Sequence, residues 1–365
     1  MIEIKRKEFI ETLGMIQHVT ERRTNQPILS HVLIKSDSKE IQFFATDLEV
    51  FVRASGRFSK GTKFEIALPA KELYELAKEL ESENLKLEIQ DGKVEIIAKE
   101  GRYRLNSISS SQFPIPKEKE YSYIANIPAK DLHELVEKTV FAASSDESRY
   151  VLTGVLVELV DGYCRLVASD GHRLAFFEKA EEIKNNSTFI LPKNAISDIR
   201  RILGTYQKPF EIYADKEEVL LKSEDISFWI KTIQEDYPSW RDVIPGEKDI
   251  ISQSIVKTQE IKKSIKRASL FASSKFPYLV LSPTDGKLLV QAESEELGLM
   301  KEELDSDVSG KKEIKIALSI KYLLDAINSV DSPLTSIKIT GESSPVIVSP
   351  VGGPGATNVI MPIRL

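Results

Sequence analysis

The strongest constraint on this chain is that it repeats itself. Between Leu68 and Leu80, apolar residues stand at 73, 76, 77 and 80; Ile196, Ile199 and Leu203 keep these offsets, as do Ile320, Leu323, Leu324 and Ile327. The first positions of the three sets, 73, 196 and 320, lie 123 and 124 residues apart. Each set is the apolar stripe of one amphipathic helix. A second family, Phe9/Leu13/Ile16, Leu132/Val136/Thr139 and Ile261/Ile265/Ala268, recurs at 123 and then 129 residues. Turns recur between alternating, strand-like runs at Ser36 to Lys39, Val160 to Tyr163 and Thr284 to Lys287, and Asp-Gly in the last two is a two-residue hairpin signal. Three tandem copies of one unit of about 124 residues account for all of this.

Within each copy the order reads strand, helix, several strands, second helix, several strands. The two helix starts of a copy lie about 62 residues apart, so each copy is expected to be two half-repeats of helix plus strands. Leu85 to Gln90, Val155 to Val160 and Ile314 to Leu318 read as strands. The Pro-containing stretches at 113–116 and 244–246 read as linkers, which predicts domains at 1–120, 121–247 and 248–365. The expected class is α+β.

A chain of 365 residues suits two or three domains. No run of 18 apolar residues is present, which excludes a spanning helix, and Met1 to Lys7 lacks the apolar stretch of a secretory signal. A single cysteine, Cys164, excludes an internal disulfide, and four scattered histidines (18, 31, 133, 172) argue against a metal cage. Gly352 to Gly355 lacks the Lys-Ser/Thr of a phosphate loop. No cofactor or metal is expected. The chain reads as soluble and cytoplasmic.

A net charge of −6 argues against a nucleic-acid binder, but the charge is not evenly spread. Segment 5–23 holds five basic residues against three acidic, 192–203 three against one, and 257–275 six against one. The six helical segments together carry +7, leaving −13 for strands and loops. On the helix at 257–275, Lys262, Lys263, Lys266 and Arg267 face away from Ile261, Ile265 and Ala268. Helices turned inward and sheets outward would give a basic lining inside an acidic rim, suited to non-specific, salt-sensitive phosphate contact.

Ser169-Asp170-Gly171-His172-Arg173 holds the residue types of a hydrolase triad, but neighbours in sequence cannot converge as nucleophile, base and orienting acid. No G-x-S-x-G elbow occurs. One repeat earlier the chain reads Ala45-Thr46-Asp47-Leu48-Glu49, so the Thr/Ser-Asp pair is expected to form a shared strand-end turn. Gly-His-Arg is what the second copy adds. Phe176-Phe177 and Phe228-Trp229 read as core, and the acidic clusters at 293–296 and 302–303 as solvated strand ends.

Three tandem copies, Thr46-Asp47-Leu48-Glu49, the run from Ser169 to Ala175, Tyr237-Pro238 with Val243-Ile244-Pro245, and the terminal Val359 to Leu365 together resemble the bacterial sliding clamp family, the beta subunits of DNA polymerase III. The similarity runs from end to end. The resemblance implies a ring-shaped, head-to-tail homodimer whose helices line the hole and whose sheets form the rim. Such a ring encircles double-stranded DNA without sequence preference and makes or breaks no bond. It tethers the replicative DNA polymerase, the clamp loader and repair polymerases through short peptide motifs.

Carried over by position, the peptide pocket would be walled by Leu152, Ser169, Gly171, His172, Arg173, Leu174, Pro238, Val243, Pro345, Val359, Ile360, Met361 and Pro362, with Ile363 and Arg364 flanking it. Arg173 would hold a polar group of the partner, and Met361 would offer an adaptable surface. Asp242 and Trp240 depart from the family pattern at the rim. DNA contacts are expected from Arg23 and Lys193, joined by Arg201 and the basic face of Lys262, Lys263, Lys266 and Arg267; Asp146, an acid at a polar contact position, is not carried over. The dimer contact is expected at Leu105 and at Leu270 with Phe271. Two other readings stay open: a peptide-binding repeat scaffold that never closes around DNA, and a hydrolase at Ser169 and His172.

Overall fold

The computed structural model describes residues 2–20, 25–36, 40–56, 63–90, 93–116, 119–273, 275–352 and 356–364. Arg23, the turn residues 37–39 and the glycine-rich residues 353–355 lie outside them. A pattern of strand, helix and three strands occurs six times in succession. The first copy runs β1 (Ile2–Lys5), α1 (Arg6–Ile16), β2 (His31–Ser36), β3 (Ile41–Thr46), β4 (Val50–Gly56), then β5 (Phe64–Pro69), α2 (Ala70–Glu79), β6 (Asn84–Gln90), β7 (Lys93–Ala98), β8 (Gly101–Asn106). The second runs β9 (Ser122–Ile127), α3 (Ala129–Glu137), β10 (Gly154–Val160), β11 (Tyr163–Ser169), β12 (Arg173–Ala180), then β13 (Ser187–Pro192), α4 (Lys193–Leu203), β14 (Phe210–Ala214), β15 (Glu218–Lys222), β16 (Ile226–Lys231). The third runs β17 (Ser252–Lys257), α5 (Thr258–Ala268), β18 (Tyr278–Thr284), β19 (Lys287–Ser294), β20 (Gly298–Gly310), then β21 (Ile316–Ser319), α6 (Ile320–Asn328), β22 (Leu334–Ile339), β23 (Val346–Pro350), β24 (Thr357–Ile360). The half-repeat read from helix spacing is therefore a βαβββ unit.

The helices form where the stripes predict, because apolar residues at i, i+3/i+4 and i+7 give each helix one face to bury. Phe9, Leu13 and Ile16 are fully buried on α1, as are Ile261, Ile265 and Ala268 on α5. The α3 stripe stops short. That helix ends at Glu137, and Thr139 instead turns its hydroxyl back to the Leu135 carbonyl at 2.7 Å. The Asp161-Gly162 hairpin forms as expected, with both residues at positive φ, while at Asp285-Gly286 only the glycine is.

Contacts divide the chain into two compact units: residues 1–130 with 197–232, and residues 131–196 with 233–365. The first holds a four-stranded sheet, β1-β6-β7-β8, and an eight-stranded sheet, β5-β2-β3-β4-β16-β15-β14-β9. Its α1 packs against α2. The second is built on one twelve-stranded sheet, β13-β10-β11-β12-β24-β23-β22-β17-β20-β19-β18-β21, with α5 against α6 over an apolar cluster of the third copy. All neighbouring strands are antiparallel. A strand of one half-repeat completes the sheet of the other: β1 joins β6, and β5 joins β2. Sheets then continue from copy to copy through β4–β16 and β12–β24. Phe177 and Phe228 are buried as expected, with Phe176 and Trp229 partly buried against apolar clusters.

Candidate peptide groove and basic helix face

The turn between β11 and β12 is held by its own side chains. Ser169 Oγ donates to the Arg173 carbonyl at 2.8 Å and accepts from the Gly171 amide at 3.1 Å. Asp170 Oδ1 accepts from the amides of His172 and Arg173 at 2.9 and 3.0 Å. The first copy repeats this: Thr46 Oγ1 donates to the Val50 carbonyl at 2.7 Å, and Asp47 Oδ1 accepts from Glu49 and Val50 at 3.0 and 2.7 Å. The Thr/Ser-Asp pair is a structural turn in both places. Because the Ser169 hydroxyl gives its proton to a backbone carbonyl, it is not poised against an imidazole as a nucleophile. Gly171 sits at φ +84°, and a Cβ there would fall 2.4 Å from Arg149 Nη1, so glycine is favoured there.

Arg173 lines the cavity described below, and its buried guanidinium is also tied into the chain by three hydrogen bonds. Nε donates to Asp170 Oδ2 at 3.1 Å, Nη1 to Asp325 Oδ2 at 2.6 Å and Nη2 to the Phe141 carbonyl at 2.6 Å. The Tyr322 ring lies 4.4 Å away and the Phe141 ring 5.4 Å. A planar fork with fixed donors can serve three acceptors at once while its face meets aromatic rings. Arg173 thus pins the 169–173 turn to α6.

Beside this turn opens a cavity of about 250 Å³, lined by Leu152, Ser169, Gly171, His172, Arg173, Leu174, Tyr237, Pro238, Ser239, Trp240, Val243, Val359 and Met361. Leu174, Trp240 and Val359 of this lining belong to an apolar cluster completed by Leu156, Val167, Ile190 and Ile233. Val243 and Met361 are exposed at the rim. Pairing of Leu174 with Val359 sets the floor, and the Met361 amide continues the strand by donating to the His172 carbonyl at 2.9 Å. Alternation along β24 explains one correction. Val359 and Met361 line the groove, whereas Ile360 points the other way into the third-copy core. Pro345, Pro362, Ile363 and Arg364 do not line the cavity either; Ile363 instead donates its amide to the Ala317 carbonyl at 2.8 Å.

Tyr237, Ser239 and Trp240 are wall residues that position-matching omitted, although the Tyr-Pro pair and the unusual tryptophan were visible signals. Trp240 packs 5.0 Å from Phe176. Arg241 stacks 4.3 Å above its ring, and Arg165 lies 5.7 Å away. Both arginines close on Glu158, Arg241 at 3.0 and 2.8 Å and Arg165 at 2.8 Å. Burial alone would raise the Glu158 carboxyl, but these hydrogen bonds more than offset it and hold the pKa below the ordinary value. The groove is a pre-formed, mostly apolar slot with few polar groups, the form that binds a short peptide side by side with a strand end.

On α5, Lys263, Lys266 and Arg267 are exposed and Lys262 half-buried, opposite the buried stripe. Arg267 shares its charge with Glu302 through a bond of 2.7 Å from Nη2. Arg201 is exposed at the end of α4. The Lys193 ammonium is turned toward its own backbone, donating to the Ala143 carbonyl at 2.7 Å and to Ser145 Oγ at 3.1 Å. Burial first, then the charges of Arg173 and Lys321, lower its pKa. Leu270 is exposed just past α5, Phe271 is partly buried against the core, and Leu105 is half-buried on the edge strand β8. No helix among the described residues is long and apolar enough to cross a membrane.

Fold and groove define the class: a binding protein built of three clamp domains, each a pair of βαβββ units. Family models of the DNA polymerase III beta subunit match in order, the N-terminal domain at residues 1–117, the central domain at 126–239 and the C-terminal domain at 241–364. The beta sliding clamp of Caulobacter vibrioides is 27% identical over 100% of both chains, and that of Pseudomonas putida 25% over 99% of both. The crystal structure of the DNA polymerase III subunit beta from Pseudomonas aeruginosa superposes with a TM-score of 0.93 at 25% identity, covering 100% of both chains. A Pseudomonas aeruginosa sliding clamp bound to griselimycin, 24% identical, has the same fold at a TM-score of 0.94, covering 100% of this chain and 99% of that one. The chain belongs to the DNA polymerase III beta subunit family, the beta sliding clamps. Members are non-catalytic subunits of a replicative polymerase.

Proposed function

We propose that two copies of this chain close head to tail around duplex DNA and slide, while the groove from Leu152 to Met361 holds the polymerase, the clamp loader and repair polymerases by short peptides. Domains at 1–120, 121–247 and 248–365 follow the sequence copies, and the family-model matches support them. The protein acts in the cytoplasm, where DNA replication takes place in bacteria.

The observation that carries the ring is the strand accounting. In β4–β16 and β12–β24, the last strand of a copy's first half pairs with the last strand of the next copy's second half. By that rule β20 and β8 remain. β8 is a sheet edge, and residues 298–305 of β20 pair on one side only, with β19. A second copy joined head to tail supplies the missing neighbour at each end. Leu105 on β8 and Leu270 with Phe271 beyond α5 are the apolar contacts of that joint. Lys262, Lys263, Lys266, Arg267 and Arg201 supply the sequence-independent phosphate contacts, and the family resemblance adds Lys193 and Arg23.

The test is retention on a nicked DNA circle, after loading with a loader and ATP, before and after linearisation in salt that screens phosphate contacts. Retention on the circle and loss from the linear form are expected. Equal loss from both favours the scaffold that never encircles DNA. Changing Lys262, Lys263, Lys266 and Arg267 together to Glu should lower retention on the circle at low salt.

A further inference from the structure

Five residues of the groove and the apolar cluster it shares have counterparts in the first copy at an offset of 123. Leu29 stands for Leu152, Leu33 for Leu156, Phe44 for Val167, Phe51 for Leu174 and Ala67 for Ile190. The long-range pairing is equivalent as well. Phe51 lies opposite Trp229 across β4–β16, as Leu174 lies opposite Val359 across β12–β24. The Lys231 amide donates to the Glu49 carbonyl at 3.0 Å, as Met361 does to His172 at 2.9 Å. The Ile108 amide donates to the Ala67 carbonyl at 3.2 Å, as Ile233 does to Ile190 at 2.9 Å. Phe113-Pro114 then enters from the following segment, where the second site has Tyr237-Pro238.

What changes is side-chain volume. Phe stands for Val at 44, Phe for Leu at 51 and Trp for Val at 229, three enlargements set against one reduction, Ala67 for Ile190. The Phe51 ring centroid lies 5.5 Å from Trp229, 6.3 Å from Phe113 and 5.9 Å from Phe44, and the two closest of its aromatic partners that meet it edge-on are Trp229 at 78° and Phe113 at 73°. Phe51 and Phe113 are 7% and 6% exposed and Trp229 is partly buried, so the chain itself covers most of these rings. Edge-on aromatic packing at these separations is cohesive.

We propose that the first copy carries a self-occupied peptide groove, in which Phe51 and Trp229, against the Phe113 wall, fill the space that a partner's apolar anchors fill in the second. The plug limits each chain to one peptide site. Cutting the rings to the size of their counterparts unmasks a second groove for the same class of short apolar peptide. This inference rests on the reading of the Leu152–Met361 groove as a peptide site.

Griselimycin, the ligand of the Pseudomonas aeruginosa clamp structure, is the probe, with calorimetry giving moles bound per mole of the full-length chain. The wild-type chain is expected to take up one equivalent, and Phe51→Leu/Trp229→Val two. The reciprocal Leu174→Phe/Val359→Trp rebuilds the plug in the second site and should bind none while unfolding at a temperature close to wild type. One equivalent for both wild type and a folded Phe51→Leu/Trp229→Val variant overturns the inference alone. Should that variant not fold, the reciprocal one decides: full binding by it means ring size does not close the first site. No uptake by the wild type overturns the reading of the groove itself.

Discussion

Removing the Arg173 guanidinium separates a positioning role from direct contact. In the wild type its side chain is 6% exposed, and its carboxylate partners Asp170 and Asp325 are 15% and 28% exposed. Arg173→Ala leaves Asp325 and the Phe141 carbonyl without their donor and opens a gap between the Phe141 and Tyr322 rings. Breaking a buried charged pair costs about 3–5 kcal/mol. Water reaching Asp325 recovers part of that, which brings the expected loss to about 3 kcal/mol. For a unit of this size that corresponds to a melting shift of about 6–12 °C. Asp170 still ties the turn through Oδ1, so the groove loosens without vanishing, and peptide affinity should fall about tenfold, or about 1.4 kcal/mol. Asp325→Asn, outside the groove lining, should weaken both stability and affinity in the same direction. Arg173→Lys should not rescue, because one ammonium cannot serve three acceptors arranged for a fork. Thermal unfolding together with anisotropy of a labelled peptide measures both quantities. If Arg173→Ala loses affinity with an unchanged melting temperature, or Asp325→Asn leaves affinity untouched, the positioning argument is wrong.

Three further outcomes are expected. Burial chiefly, with Asp47 adding and Arg201 opposing, raises the Asp198 carboxyl to about 6. The folded chain therefore binds this proton more tightly than the unfolded chain, so the stability linked to it is full below about pH 4 and is lost as pH rises through about 6. Asp198→Asn should flatten that slope in urea titrations and, after discounting for partial solvation, gain about 1 kcal/mol at pH 7; an unchanged slope refutes the assignment. Gly171→Ala should cost about 1–2 kcal/mol through its positive φ and the clash with Arg149, whereas Leu48→Gly, at φ 77° in the equivalent turn, should gain about 0.5–1 kcal/mol. A loss of stability in Leu48→Gly would show that its side-chain contacts outweigh the backbone strain. Deleting residues 361–365 removes Met361 from the rim and should abolish peptide binding while the melting temperature of the first unit stays unchanged; full affinity in the truncated chain would displace the groove assignment.

Much of the architecture is legible in the sequence. The stripes of α1, α2, α4, α5 and α6 and the Asp161-Gly162 hairpin depend on residues within a few positions of one another. So does the Ser169-Asp170 turn, matched to Thr46-Asp47, since a short polar side chain reaches only its own nearby backbone. The groove was legible in part. Leu152, Ser169, Gly171 to Leu174, Pro238, Val243, Val359 and Met361 converge as the resemblance implies, while Ile360 faces away and Tyr237, Ser239 and Trp240 complete the wall.

The chain's order of residues by itself determined the threefold repeat, its halving, the helix faces and the turn chemistry, because each arises from local periodicity and local hydrogen bonding. Only the tertiary structure decided which way Arg173 points, which residues of β24 face the groove, and that the first-copy groove is filled by rings. Those outcomes depend on pairing strands far apart in the chain, Leu174 with Val359 and Phe51 with Trp229, and on the volumes that meet once they pair.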